Sequence, residues 1–184
     1  MWSYEKRLQY PIKISTPNAK LASYIISQYG GPDGELGASM RYLSQRFSAA
    51  NPRVAGLLTD IGTEELAHLE MIGAIVRQLT RGLSAKELEA AGFAPYYIDH
   101  TAAVWPQAAG GVPFNACEFQ CSGDAIADLV EDMAAEQKAR KTYDNILRVV
   151  ADPEVADPIR FLREREIVHF QRFGEALRLV QEEL

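Results

Sequence analysis

Eight residues of this sequence could do chemistry together. Glu35, Tyr42, Glu65 and His68 recur, with every residue type preserved, 101 positions later as Glu136, Tyr143, Glu166 and His169. Self-similarity at a fixed offset marks duplicated structural units. Within each unit, Glu-x-x-His places its two donors at i and i+3, on one face of a helix. A lone glutamate from a partner helix, Glu35 or Glu136, then completes each set. Four carboxylates and two imidazoles turned into an apolar core cost several kcal/mol per uncompensated charge, so something must neutralise them.

A dinuclear metal site is the arrangement that does so, and this ligand pattern is the one used by di-iron and di-manganese carboxylate bundles. Oxygen-rich ligation with one imidazole per ion suits iron or manganese and leaves the two unresolved; zinc prefers fewer ligands with more Cys or His. The competing reading of His68 and His169 is a pair of core histidines bonded to nearby carboxylates. Tyr42 and Tyr143 are either core aromatics with satisfied hydroxyls or hydrogen-bond donors to the ligand carboxylates. Glu64 aligns with Arg165 at the 101 offset and is expected to face solvent. Arg140, one turn after Glu136, reads as a snorkelling side chain or a charge partner of the site. His100 has no counterpart and reads as a loop histidine.

Helices must position these groups. Ala19 to Tyr29 is helical in pattern, Gly30-Gly31-Pro32 interrupts it, and a second stretch runs from Asp33 to about Ser48, as one kinked helix or two. Asn51-Pro52 is an N-cap and first-turn pair for a helix reaching Thr80, whose inward stripe is Val54, Leu58, Ile61, Glu65, His68, Ile72, Val76 and Leu79. Residues 83–122 form a crossover, with a capping box at Ser84 and Glu87, a short helix ending at Gly92, and a loop rich in Gly, Pro and aromatics. A third long helix spans Gly123 or Asp124 to Val150. Asp152-Pro153 and Asp157-Pro158 both resemble starts of a fourth, which carries Ile159, Leu162, Glu166, His169, Phe173, Ala176 and Val180 inward. Two hairpins joined by one long connection predict an all-α, ferritin-like four-helix bundle in a single domain over residues 1–184, with residues 1–17 as an extended arm on its surface.

Composition narrows the function. With 184 residues, 47% of them hydrophobic, the chain can bury a sizeable core. A net charge of −6 and scattered cations exclude nucleic acid as a natural partner. The N-terminus has no apolar segment behind its charges and no window approaches a membrane span, so synthesis in the cytosol without a secretion signal is expected. Cys117 and Cys121, four apart, form neither a C-x-x-C pair nor half of a usual zinc site, and read as buried or incidental thiols.

Three segments are more specific than Glu-x-x-His alone: Tyr29-Gly30-Gly31-Pro32-Asp33-Gly34-Glu35-Leu36-Gly37-Ala38, Asp60-Ile61-Gly62-Thr63-Glu64-Glu65-Leu66-Ala67-His68, and Phe161-Leu162-Arg163-Glu164-Arg165-Glu166-Ile167-Val168-His169-Phe170. On these the sequence resembles the manganese catalase family, and over nearly its whole length the short spore-coat branch. The resemblance implies two manganese ions per chain, with iron as the alternative. Glu35 and His68 would be ligands of one ion, Glu136 and His169 of the other, with Glu65 bridging both. Glu166 would stand beside the cluster as a proton-handling group, a sixth ligand in the di-iron variant of the pattern, and Tyr42 would donate to a ligand.

The resemblance further implies disproportionation of hydrogen peroxide to water and dioxygen. It implies a homo-oligomer, a hexamer in the family's pattern, and deposition in a spore coat among other coat proteins. The alternatives are a structural coat component with a stabilising metal site, or a di-iron ferroxidase. Longer members continue past the fourth helix with a tail that wraps neighbouring subunits, so oligomer packing is expected to differ here. Some carry Arg just before the glutamate equivalent to Glu136, where this chain has Ala135; peroxide access or electrostatics is expected to differ accordingly.

Overall fold

The computed structural model describes residues 5, 7–116 and 121–183, and its regular elements are helices: α1 (Ala19–Ile25), α2 (Ser27–Gly30), α3 (Glu35–Gln45), α4 (Pro52–Thr80), α5 (Ala85–Ala90), α6 (Ala94–His100), α7 (Ala125–Leu147) and α8 (Pro153–Glu182). Among the described residues there is no strand; Gln107 and Pro113 form one isolated bridge. No helix is long and apolar enough to cross a membrane. The fold is a ferritin-like four-helix bundle. α3 packs on α4 and α7 on α8, and the two hairpins meet through α4 against α8 and α3 against α7.

The long helices start where side chains satisfy their free N–H groups. Asn51 accepts from the Arg53 N–H at 2.8 Å, Asp152 from Glu154 at 2.9 Å, and Asp124 from Ile126 and Ala127 at 3.0 Å each. Ser84 and Glu87 close a reciprocal capping box on α5. α4 and α8 then bury most of the stripe that their periodicity predicts, with Val180 only part-buried. α7 buries Leu129, Glu136 and Tyr143 of its expected face but turns Asp128, Asp132, Ala135 and Ala139 inward in place of Ile126, Met133 and Arg140. α4 buries Val54, Leu58, Ile61, Ile72, Val76 and Leu79 around Glu65 and His68, and α8 buries Ile159, Leu162, Phe173 and Ala176 around Glu166 and His169.

Local differences from the expected elements have physical causes. The region 19–48 is three segments, not one kinked helix, because the chain turns at Ile26 and again across Gly31–Gly34. Only Asp152-Pro153 starts α8. Pro158 lies inside the helix and is buried, in its second turn, where a proline forgoes one backbone hydrogen bond. The loop expected after Gly92 contains α6, anchored by buried Phe93 and Tyr96, whose rings stack 4.8 Å apart. The N-terminal arm runs extended but sinks Ile12 and Ile14 into the core. Gln78 accepts from the Ile14 N–H at 2.7 Å and donates to the Ile12 carbonyl at 3.1 Å, replacing the pairing that a sheet neighbour would give.

The Gly30–Gly34 turn delivers Glu35 into the bundle at the first turn of α3. A Cβ on Gly30 would lie 2.3 Å from the Pro106 Cα, because the crossover backbone passes directly over it. Gly30→Ala is therefore expected to destabilise the fold by about 1–3 kcal/mol through overpacking. Urea unfolding checks this, and an unchanged midpoint would contradict the packing described.

Candidate metal centre

The four bundle helices each send one or two acid–base groups to a common point. Glu35 comes from α3, Glu65 and His68 from α4, Glu136 from α7, and Glu166 and His169 from α8. None is more than 3% exposed. Glu65 sits between the two halves: its Oε2 lies 2.8 Å from His68 Nδ1 and its Oε1 2.8 Å from His169 Nδ1. Glu35 Oε2 approaches His68 Nδ1 at 3.6 Å and Glu136 Oε2 approaches His169 Nδ1 at 3.5 Å. Glu166 stands farther off, 3.9 Å from His68 Nδ1. The imidazole rings stack with centroids 5.5 Å apart.

The 101-residue repeat is thus a spatial near-twofold. The tyrosines show it directly, because Tyr42 on α3 donates to Glu136 Oε1 at 2.5 Å while Tyr143 on α7 donates to Glu35 Oε1. Each hydroxyl crosses to the lone glutamate of the other half. Of the two readings open for these tyrosines, the structure takes the donor.

The residues fit a pair of cations. Glu35, Glu65, His68 and Glu166 offer donor atoms within 4.8 Å of one another, as do Glu65, Glu136 and His169. Glu65 Oε1, Glu136 Oε2, Glu166 Oε1 and His169 Nδ1 are buried without a hydrogen bond of acceptable geometry, the 2.8 Å approach of Glu65 Oε1 to His169 Nδ1 included, and an ion among them would satisfy them. Without one, burial and then the Glu65 charge raise Glu35 to about 8. Burial and the Glu136 and Glu35 charges push Glu166 far above the usual carboxylate range. Glu65 is held low: its burial is outweighed by His169 and His68 on either side. His169 is raised to about 12, and His68 well above its usual value, because the surrounding carboxylates, Glu65 first, outweigh the cost of burying the charge.

One expected surface residue belongs to the site. Glu64 is not solvated; its side chain is 15% exposed and reaches behind both imidazoles. Its Oε2 lies 3.0 Å from His169 Nε2 and its Oε1 3.6 Å from His68 Nε2. Arg165, its partner at the 101 offset, grips it with two hydrogen bonds of 2.7 and 3.0 Å. Paired against each other across the near-twofold, opposite charges at equivalent positions are complementary, and that was the signal in the sequence.

Arg140 does not reach the centre; it bonds Asp144 at 2.6 Å and Gln137 at 2.8 Å on the outer side of α7. His100 ends α6, 2.7 Å from Gln107 Oε1 and stacked on Trp105. Cys121 is an exposed thiol, and Cys117 lies outside the described residues. A narrow cleft between α3 and α7, with a volume of about 10 Å³, leads to Glu35 and Glu166. Ala38, Ala135 and Ala139 line its walls and Arg41 and Tyr42 border it, so Ala135 leaves space where a larger side chain would narrow the entry.

The sequence model for the family described as manganese containing catalase matches residues 1–184. The chain belongs to the manganese catalase family. It is 54% identical to protein CotJC of Bacillus subtilis (strain 168) over 183 residues, covering 100% of this chain and 96% of that protein. It is 34% identical to a probable manganese catalase of Clostridium acetobutylicum, covering 100% and 82% of the two chains. The solved manganese catalase KatB of Anabaena superimposes with a TM-score of 0.91 at 27% identity, over 98% of this chain and 81% of KatB. The buried Glu/His cluster is the metal-compatible core of this manganese catalase fold.

The raised carboxylates make metal uptake pH-dependent. Neutral Glu35 favours the metal-free fold below its unfolded value, about 4.3, and that contribution is lost as pH rises through about 8. Ions that displace protons from Glu35 and Glu166 must bind tighter as pH rises toward 8 and release protons on binding. Calorimetry of metal-stripped protein in buffers of different ionisation enthalpy checks this; buffer-independent heats would contradict it.

Proposed function

We propose that this chain is a dinuclear manganese catalase that disproportionates hydrogen peroxide to water and dioxygen. The observation that carries the reading is the shared Glu65: one buried carboxylate with an oxygen toward each of two matching Glu/His sets. Glu35 and His68 would hold one ion and Glu136 and His169 the other, with Glu65 shared by both sets. A manganese pair supplies two-electron redox capacity, which matches a two-electron substrate.

The chain's own residues do the rest. Peroxide enters past the alanine-lined cleft, which Glu35 and Glu166 line. Tyr42 and Tyr143 hold Glu136 and Glu35 in place by donating to the oxygen of each that the opposite helix presents. Glu166, least engaged with the histidines and pushed by burial toward its protonated form, stores a proton at the end of the cleft and gives it to the oxygen that leaves as water. Buried Ile61, Leu162 and Phe173 flank these groups on α4 and α8 and exclude bulk water.

We further propose that the chain assembles as a homo-oligomer and works in the spore coat, the setting of the branch that it resembles. Elemental analysis with an oxygen electrode tests the function. The purified protein is expected to hold about two manganese ions per chain and to evolve dioxygen from peroxide. Glu166→Gln is expected to keep the metal and lose about 10²–10⁴-fold in turnover, the usual worth of a positioned proton donor. Iron occupancy with Fe(II) oxidation and no dioxygen would overturn the proposal in favour of a ferroxidase. Metal that stays bound with neither reaction would favour a structural coat role.

A further inference from the structure

Glu64 makes contacts that the chemistry above does not use. We infer that Glu64, clamped by Arg165, is the positioning residue for His169, taking its outer N–H so that the inner nitrogen faces the ligand carboxylates, and that it stands behind His68 without bonding it. The inference rests on the reading of the cluster as a metal pair and concerns how that pair is held.

Both imidazoles turn Nδ1 toward Glu65, at 2.8 Å in each case, so Nδ1 is the nitrogen that meets an ion. A ring that gives its Nδ1 lone pair to a metal carries its proton on Nε2, and a buried N–H needs an acceptor. Glu64 is the carboxylate whose nearest approach to each ring is at Nε2, whereas Glu35, Glu65 and Glu166 approach His68, and Glu65 and Glu136 approach His169, at Nδ1. Its two oxygens diverge to the two rings, one on α4 and one on α8. The carboxylate plane is fixed from behind, because Arg165 donates Nε to Oε1 and Nη2 to Oε2, the two-point grip that only a guanidinium offers.

The device is unequal. Oε2 shares itself between His169 Nε2 at 3.0 Å and one Arg165 donor. Oε1 already accepts Gln9 Nε2 at 2.6 Å and Arg165 Nε at 2.7 Å, and His68 Nε2 remains 3.6 Å away, without a hydrogen bond. The near-symmetric Glu/His sets are therefore made different from outside, by one glutamate on α4 where α8 carries arginine. His169 is the better oriented ligand, and its ion is the more tightly held of the two.

Manganese(II) titration of metal-stripped protein, followed by the electron paramagnetic resonance of free ion, tests this in the wild type, Glu64→Gln, Arg165→Gln and the double variant, with circular dichroism as the check on folding. Wild-type protein is expected to bind two ions in two separable steps. Glu64→Gln is expected to weaken the tighter step about ten- to a hundred-fold. Arg165→Gln, at a 28% exposed side chain, is expected to weaken the same step less, and the double variant to be no worse than Glu64→Gln alone. Folded Glu64→Gln that binds both ions with wild-type affinity would overturn the inference, as would additive losses in the double variant. If Glu64→Gln does not fold, unchanged binding by Arg165→Gln overturns it equally. Wild-type protein that takes up no manganese would instead overturn the metal reading beneath it.

Discussion

The structure depends on how its buried charge is balanced. Four carboxylates and two imidazoles occupy the centre of a helical bundle with almost no water contact, an arrangement that an apolar core tolerates only when the charges neutralise one another. In the absence of metal that balance is struck with protons, which is why Glu35 and Glu166 are driven up while Glu65 is driven down between two cationic rings. The proposed pair of divalent ions would replace those protons and meet the orphaned oxygen and nitrogen atoms at once. Fold and chemistry are then one problem, since each ligand is also a core position of its helix.

The near-twofold brings two matching Glu/His sets together, as a dinuclear centre requires, and leaves the halves unlike in their surroundings. Equivalent residues meet across it: His68 stacks on His169, and Tyr42 and Tyr143 cross reciprocally to the opposite glutamates. Symmetry is nevertheless lost at two places. Glu65 lies between both rings while Glu166, identical in type, stands toward the cleft, and Glu64 is set against Arg165 behind them. A duplicated scaffold thus brings together two Glu/His sets that are alike in residue type and unlike in surroundings.

Much of this was legible in the sequence, because periodicity and repetition are local signals. The stripes of α4 and α8, the caps at Asn51 and Asp152 and the capping box at Ser84 follow from spacing and side-chain chemistry alone, and the 101-residue offset joined the two halves. What escaped was set by tertiary contact. Glu64 read as solvated because its equivalent is an arginine, and the comparison looked for identity where the near-twofold asks for complementarity. α6 was hidden in a Gly- and Pro-rich stretch, since its stability comes from Phe93 and Tyr96 packing against the bundle and not from any helical stripe of its own. Asp157-Pro158 resembled a helix start as much as Asp152-Pro153 did; only the continuing packing of Val155 and Ile159 shows that the helix runs through it.

The account turns on Glu65 lying between two manganese ions. The most direct test is a crystal structure of the metal-loaded protein with diffraction recorded on both sides of the manganese absorption edge. Two manganese peaks per chain, one beside His68 and one beside His169, each contacted by one oxygen of Glu65 and with Glu166 outside the contact distance of both, are the predicted result. A single peak, or two ions that Glu65 does not join, would contradict it.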